Sequence, residues 1–547
     1  MSYLKTLATQ VSNLANAVIN RPSAITYNTS GYNAATNGRR LISMGSSTRG
    51  VSSLALSDGP LLTARARKAV MENPVASNGV TSFVAEVIGT GLRPHSRHSK
   101  TDTRVQLEKE FSLWVPQSSA TRRIGPGGKP DSLQDFFLQQ ALVCRNTQEA
   151  GEAFARLRPR LASDLSPTGL RVPLQVDLIE PEQLPFWLMS GAMANSKNLI
   201  RGGIEFTPNQ ERVAYHFYRH HPGDAAIWPN TFEIVRVPSQ NVLHVMEFIR
   251  GQQIRGITPL ASILISLTDV DDFDDATRLQ QKLGSFLFAW KESLTPDDPQ
   301  LNAASSVGTD QAPDGAAYVE AQPGTMTMLD ANAGEKFGFY NHPGVANTYE
   351  TFMRMQRQVQ ATILRVTYDM ATGDTSGSNY SRSRIRLIAL RRIWTQFQKS
   401  VIEHQFCRPI WRAWLDAAAL AGRIDAADYA KNPEEYLNVE WLPQAWDWVD
   451  PEADVKTVRM QMESCLSSRE EEVTKLGKNV EEVDAAIKRD HDREKELGIV
   501  PVFGASKVNE TVPPGDNEEL AGTEPTTQPN DSADTEDEVK PGGKKRK

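Results

Sequence analysis

The chain has 547 residues, enough for several ordinary domains around a sizeable core. With 39% hydrophobic and 23% charged residues it has the composition of a soluble globular protein, and no window approaches a membrane span of about 18 apolar residues. A formal charge of −7 excludes a tight duplex binder, which would neutralise many phosphates with Lys and Arg.

The N-terminal stretch MSYLKTLATQVSNLANAVIN lacks the apolar block of a signal peptide. Leu4, Leu7, Val11, Leu14 and Val18 instead trace an amphipathic helix that docks on protein rather than membrane. Residues 21–60, rich in Asn, Ser, Thr and Gly, read as an extended arm ended by Asp58-Gly59-Pro60. A helix from about Leu61 to Glu72 then stops at Asn73-Pro74, since the residue before proline disfavours the helical basin. Val75 to Ile88 is a second helix with Val80, Phe83, Val84 and Val87 on one face. Gly89 and Gly91 close it as C-caps; no GxGxxG or GxxxxGK[ST] makes them a nucleotide loop.

Thr101 to Trp114 is helical, and Arg122 to Pro130 is a basic loop, either solvated or touching a phosphate or acidic neighbour. Ser132 to Cys144 reads as a capped helix, and Gly151 to Arg158 and Arg171 to Glu180 alternate as strands. From Gly202 to Arg250 the pattern stays β-rich, with a hairpin turning at Pro208-Asn209 and strands at Phe232–Val237 and Val242–Phe248. His216, His220, His221 and His244 have no carboxylate or Cys at ligand spacing and read as ordinary histidines. Cys144, Cys407 and Cys465 fit neither a disulfide framework nor a zinc site and read as buried thiols.

Thr258-Pro259 is an N-cap followed by proline, and the apolar positions from Leu260 to Trp290 predict one uninterrupted helix. Its middle, Asp269 to Asp275, is not an EF-hand: Asp274 stands where Gly is needed and Gln280 where Glu is needed. Asp269, Asp271, Asp272 and Asp275 therefore read as an acidic band on a helix face, or else as the metal site of a nuclease. After a break at Thr295–Gly315, Ala317 to Asn341 alternates as short strands. Asn347 to Tyr368 is again helical, with Tyr349, Phe352, Met353, Gln356, Val359, Ile363 and Val366 on one side.

Met370 to Tyr380 is a polar loop whose Gly373 and Gly377 supply backbone freedom, and it is not a GxSxG elbow. A long helix follows to Pro409, with Ser381 and Ser383 as candidate N-caps and Leu387, Leu390, Trp394, Phe397 and Val401 on one stripe. Pro409 to Ala421 continues it. Tyr436, Trp441, Trp446 and Trp448 read as core or subunit-interface packing, because no basic groove accompanies them as a stacking platform would need. Glu452 to Leu497 is helical and highly charged apart from Gly477, and residues 505–547, with ten acidic and six basic side chains, have a disordered composition.

Four segments, in this order, resemble the lambda-type portal proteins of tailed bacteriophages. They are NPVASNGVTSFVAEVIGTGLRPHS (73–96), IRGITPLASILISLTDVDDFDDATRLQQKL (254–283), TGDTSGSNYSRSRIRLIALRR with FCRPIWRAWLDAAALAG (372–422), and WLPQAWDWVDPEADVKTVR (441–459). The resemblance spans residues 50 to 500 and implies an α+β portal fold. Residues 1–60 would be an N-terminal helix and arm, 61–257 an α/β wing, 258–292 a first stem helix, and 293–344 a β-containing clip. A second stem helix at 345–369 would lead to a tunnel loop at 370–380. Next would come a long helix and wing return at 381–450, a helical crown at 451–500, and a disordered tail at 501–547.

It further implies a ring, usually of twelve subunits, at one capsid vertex of the virion, assembled in the host cytoplasm. Double-stranded DNA would pass its channel without being held, touching Thr372, Gly373, Asp374, Thr375, Ser376, Gly377, Ser378, Asn379 and Tyr380. Asp269, Asp271, Asp272 and Asp275 would form an acidic band on the stem. The implied partners are the terminase large subunit, the major capsid or scaffold protein, and head-completion or tail connector proteins; no cofactor, metal, membrane or catalytic role is implied. The alternatives are a tail or baseplate ring subunit, and a metal-dependent nuclease on the same aspartates.

Overall fold

The computed structural model describes residues 49–124, 130–160, 170–190, 198–286, 289–292, 336–339, 347–376, 380–447 and 451–498. The expected N-terminal helix, most of the clip, positions 377–379 and the C-terminal tail lie outside them. Residues up to Val480 form one compact unit, and a second begins at Glu481.

Helix α1, Val51–Glu72, starts inside the stretch expected to be an extended arm and runs through Gly59 and Pro60. Proline at a helix interior costs about 3 kcal/mol, yet burial decides here. Val51, Ala55, Gly59, Thr63, Ala66 and Val70 make one buried stripe, and the proline sits on the exposed side. Helix α2, Pro74–Val87, is capped by Asn73, whose side chain accepts from the amides of Val75 and Ala76. It buries Val80, Phe83 and Val87, and Gly89 and Gly91 turn the chain out of it with positive φ. Strand β1, Arg93–Ser96, and helix α3, Thr101–Trp114, follow.

The basic loop begins and ends in a small hairpin, β2, Arg122–Ile124, paired with β3, Pro130–Ser132. That pairing occupies Ser132, so helix α4, Phe136–Glu149, is capped by Asp135 instead. Strands β4, Glu152–Pro159, and β5, Leu174–Ile179, appear where alternation placed them. A second antiparallel sheet holds β6, Leu199–Arg201, β7, Ile204–Phe206, β8, Arg212–Tyr218, and β9, Ile234–Pro238, in that spatial order. Strand β10, Val242–Met246, leaves it to pair with β4, giving a three-stranded sheet β10-β4-β5.

Helix α5, Leu264–Phe286, is preceded by a single 3-10 turn at Pro259–Ser262 and ends before Trp290. The expected continuation is overridden: Ala289–Glu292 forms strand β11, paired with β12, Lys336–Phe339. Gly284 is a poor helix former, and this backbone pairing closes the base of the insertion. Helix α6, Asn347–Ile363, stops short of the expected Tyr368, and a short α7, Tyr368–Thr372, follows a break.

One long helical rod then carries the core. It comprises α8, Tyr380–Phe397, a π-helical stretch Gln398–Cys407, and α9, Arg408–Leu420. The expected serine caps are inside it, since α8 already starts at Tyr380. Leu390, Trp394, Phe397 and Val401 are buried as the stripe predicts. The wider π turns push Gln405 toward the end of β10, where its amide accepts from Met246 N at 3.0 Å and donates to Met246 O at 3.0 Å. Short helices α10, Ala426–Lys431, and α11, Pro433–Leu437, lead to β13, Val439–Leu442, antiparallel to β1.

The aromatic residues are core, as expected for Tyr436 and Trp441. The Phe111 ring lies 5.2 Å from both Trp411 and Trp414, 5.3 Å from Trp114 and 5.5 Å from Phe136. A smaller core of Phe154, Ile204, Tyr215, Phe217 and Val237 joins the two sheets. Of the thiols, Cys144 and Cys407 are buried but Cys465 is exposed, because the helix expected over 452–497 breaks there. It divides into α12, Pro451–Glu463, α13, Arg469–Lys475, and α14, Val480–Leu497, with Cys465 and Gly477 at positive φ between them. From Glu481 onward α14 has no buried residue.

Candidate nucleic-acid interface

The buried ion pair of Glu152 and Arg255 sits just ahead of α5. Both side chains are fully buried, the Arg255 Nε donates to Glu152 Oε1 at 2.7 Å, and the Gly256 amide donates to Oε2 at 2.6 Å. Arg255 also donates to the carbonyls of Gly202 and Leu184 at 2.9 and 3.1 Å, and stacks on the Phe186 ring at 3.6 Å. His244 Nε2 reaches Glu152 Oε2 at 2.9 Å, and Arg212 reaches His244 Nδ1 at 3.2 Å. Burial raises the Glu152 carboxyl, but Arg255 and His244 outweigh it and hold it at about 2. Burial lowers His244 to about 4 despite Glu152. Gly151 and Gly256 let the backbones touch: a Cβ on Gly151 would stand 2.2 Å from the Ile257 carbonyl carbon. Thr258 completes the start, its hydroxyl donating to Gln148 O at 2.9 Å and accepting from Leu260 N at 3.2 Å.

Helices α5 and α6 run antiparallel. Gln360 donates to Ser266 O at 3.2 Å, Arg357 meets Asp271 at 3.2 Å, and Tyr349 donates to Asp274. The aspartates of α5 thus differ in their partners. Asp271 is half-buried and also accepts from Asn73 Nδ2 at 2.6 Å, and Asp274 pairs with Arg278 at 2.5 Å. Asp275 lies 3.6 Å from Arg278, whereas Asp269 and Asp272 are exposed and make no ion pair among the described residues. A two-metal site needs carboxylates that converge, and among the described residues the one group of three or more close enough to share an ion is elsewhere, at Glu180, Glu182 and His221. The expected apolar side of α6 also divides: Gln356 is half-buried, but Phe352, Val359 and Ile363 are exposed.

Beyond α6 the chain breaks at Arg365, which holds a left-handed φ of 59°. Its guanidinium clasps Glu247 at 2.9 and 3.0 Å, and its carbonyl accepts from the Trp394 indole at 2.9 Å. Sequence reasoning missed this junction, since Arg carries no left-handed signal. The loop expected at 370–380 then begins as helix: Ala371 is buried, Thr372 donates to Tyr368 O at 2.8 Å, and Gly373 caps α7 with φ 75°. Asn78 Nδ2 of α2 holds the Met370 carbonyl at 2.6 Å.

Asp374 bends the tip into a turn, accepting from Ser376 N at 2.9 Å and from the Tyr368 hydroxyl at 2.9 Å. Hydrogen bonds from the Ser376 hydroxyl, its amide and Tyr368 hold the Asp374 carboxyl below its ordinary range. Arg354 of α6 donates to the Ser376 carbonyl and meets Asp374 at 3.5 Å. Gly373, Thr375 and Ser376 are exposed; Gly377, Ser378 and Asn379 lie outside the described residues, and Tyr380 opens α8. Among the described residues of the tip, the fully exposed ones, Gly373, Thr375 and Ser376, are thus small and neutral, and the partly exposed Asp374 is paired with Arg354. Three arginines of α8 are engaged within the fold: Arg384 pairs with Asp454 at 3.0 Å, Arg386 donates to Thr362 at 3.2 Å and Arg391 to Asp447 O at 3.0 Å.

Of the histidines, His216 faces Glu205 at 3.3 Å and His220 stacks on Trp228 at 5.3 Å. Folding does bring Glu180 and Glu182 beside His221, a trio that could hold a metal ion. Glu182 is already clasped by Arg67, however, and His221 Nδ1 accepts from Gly223 N at 3.0 Å. Among the described residues no helix is long and apolar enough to cross a membrane.

Residues 37–398 match the family described as phage portal protein, lambda family. The chain is 24% identical over 457 residues to a probable portal protein of Halomonas phage phiHAP-1, covering 82% of this chain and 83% of that one. It is 22% identical over 302 residues to the portal protein of Escherichia phage N15, covering 51% and 55% of the two chains. Among solved structures, a chain from the neck of a native gene transfer agent particle is similar at 12% identity with a TM-score of 0.40, covering 77% of this chain and 93% of that one.

Proposed function

The chain belongs to the lambda family of phage portal proteins, and from that premise we propose that its copies close into a ring around a channel for double-stranded DNA. The observation that supports the reading is the antiparallel α5–α6 pair, leading through a strained junction to an exposed tip of Gly373, Thr375 and Ser376. Small neutral groups on a braced turn can line a passage without gripping phosphates, and Asp269 and Asp272 add exposed negative charge on α5. A mildly repulsive wall suits a polymer that must slide, because each Lys or Arg contact to phosphate would slow it.

The ring would occupy one vertex of the virion and assemble in the host cytoplasm. Its partners would be the terminase large subunit, the major capsid or scaffold protein, and the head-completion or tail connector proteins. The work of packaging falls to the terminase, and we assign this chain no catalytic step. Ring closure follows from one heterologous contact repeated about an axis. Light scattering on the purified chain, with electron microscopy, tests the reading. A particle of roughly twelve times 60.6 kDa with a central hole is expected. A chain that stays monomeric at all concentrations, or a particle without a hole, overturns it.

A further inference from the structure

Strand β4 carries a row of arginines. Glu152, Phe154, Arg156 and Arg158 alternate along one of its faces, and Arg160 follows in step just past its end. At the inner end Glu152 is buried against Arg255, and Phe154 lies in the smaller core. At the outer end Arg156, Arg158 and Arg160 are partly exposed, at the repeat of about 6.8 Å that alternate residues of an antiparallel strand have.

The neighbouring strands bring one carboxylate to this outer end. Asp177 of β5 stands directly across from Arg156, yet it pairs with Arg158. Arg160 Nε donates to Gln175 Oε1 at 2.8 Å, and Val242 of β10 flanks Arg156 on its other side. Among the described residues the Arg156 side chain is left with no hydrogen bond or ion pair, and the buried Arg158 Nε has no acceptor. Burial and the charge of Arg158 together lower the Arg156 guanidinium from its ordinary value. Three guanidiniums against one carboxylate is a local excess of positive charge on a chain whose formal charge is −7. Like charges side by side on a sheet are destabilising, so an anion that bridges them relieves a cost built into the fold.

The repeat of the row says which anion fits. A guanidinium offers a planar fork that matches a carboxylate or a phosphate. An extended peptide points every second side chain the same way, so acidic residues at alternate positions arrive at the same spacing of about 6.8 Å, and those between turn away. A nucleic-acid backbone is an unbroken polyanion and would press phosphates against Asp177 as well. We propose that Arg156, Arg158 and Arg160 bind an acidic segment of a partner protein, laid extended across the row with carboxylates at alternate positions. This goes beyond the portal reading and does not rest on it.

Fluorescence anisotropy at low salt tests it, with the full chain and a short labelled peptide alternating glutamate and threonine. Binding is expected, and Arg156→Gln should weaken it about tenfold, the scale of one charge-assisted hydrogen bond. The urea midpoint of that variant should not move, because Arg156 has no ion pair to lose among the described residues. Arg160→Gln should weaken binding likewise, and a peptide of the same composition with its glutamates consecutive should bind less tightly. No binding by the parent chain, or equal affinity of parent and Arg156→Gln, overturns the proposal. Equal affinity of the two peptides overturns the extended fit. Duplex DNA that binds more tightly than the peptide, and is lost on Arg156→Gln, overturns the choice of an acidic protein.

Discussion

Arg354 and Asp374 meet at 3.5 Å across the break that ends α6, and the same guanidinium donates to the Ser376 carbonyl. The tip is therefore coupled to the second long helix, so a shift of α6 along its axis would carry residues 373–376 with it. The loop is soft in composition yet braced in structure.

Arg354→Ala removes that brace. Its expected effect is local: exchange at the amides of 373–376 rises several-fold, while the denaturation midpoint of the chain hardly moves, because exposed ion pairs contribute little to global stability. Exchange measured by mass spectrometry decides. An unchanged tip would mean that the Asp374 turn and the Asn78 bond to Met370 hold it unaided.

The left-handed Arg365 makes a second prediction. An L residue there costs about 1–2 kcal/mol that glycine avoids, whereas either Ala or Gly forfeits the Glu247 clasp. Arg365→Gly should therefore be more stable than Arg365→Ala by about 1 kcal/mol, read from urea midpoints. Equal midpoints would show that the junction relaxes to another conformation without the ion pair.

Periodicity and turn residues were enough to place α2, α3 and the β4, β5 and β8 strands, because each depends on contacts whose spacing is written in the chain. The Leu390–Trp394–Phe397–Val401 stripe is legible for the same reason. What failed depends on remote partners. Pro60 reads as a stop, yet α1 continues because residues far along the chain, Phe186 among them, bury its Gly59 side. Trp290 extends an apolar series but pairs as strand with residues near 338. The aspartates 269–275 look uniform, and only the approach of Arg357, Tyr349 and Asn73 divides them. At the tip, Gly373 announced its turn, but the Arg354 brace had no signal in the residues around it.

The Glu152–Arg255–His244 group ties stability to pH. His244 is held neutral, its value lowered to about 4, so its contribution is complete above the ordinary histidine range near 6.5 and is lost as pH falls toward 4. That step is on the order of 3 kcal/mol. Glu152, held at about 2, contributes fully above the ordinary carboxyl range and loses that contribution as pH falls through about 2. Stability should thus decline in two stages below about pH 6.5. His244→Gln should remove the first stage, and Glu152→Gln should cost roughly 3–5 kcal/mol at every pH above it, by leaving Arg255 buried and unpaired. Urea midpoints across the pH range test both, and a single-stage decline in the parent chain would contradict the assignment.

The two kinds of aspartate on α5 should separate on mutation. Asp271 accepts from Asn73 Nδ2, whose Oδ1 caps α2, so it orients a cap as well as joining Arg357. Asp271→Ala should cost about 1 kcal/mol, the usual worth of a cap or of a hydrogen bond in a half-exposed setting. Asp269→Asn with Asp272→Asn removes no ion pair among the described residues and should leave the urea midpoint within about 0.5 kcal/mol of the parent. If these two face the channel, that double variant should bind duplex DNA more tightly at low salt, and the gain should fade as salt rises and screens the wall. A double variant whose DNA retention matches the parent at every salt concentration would place Asp269 and Asp272 away from the passage, whatever its stability.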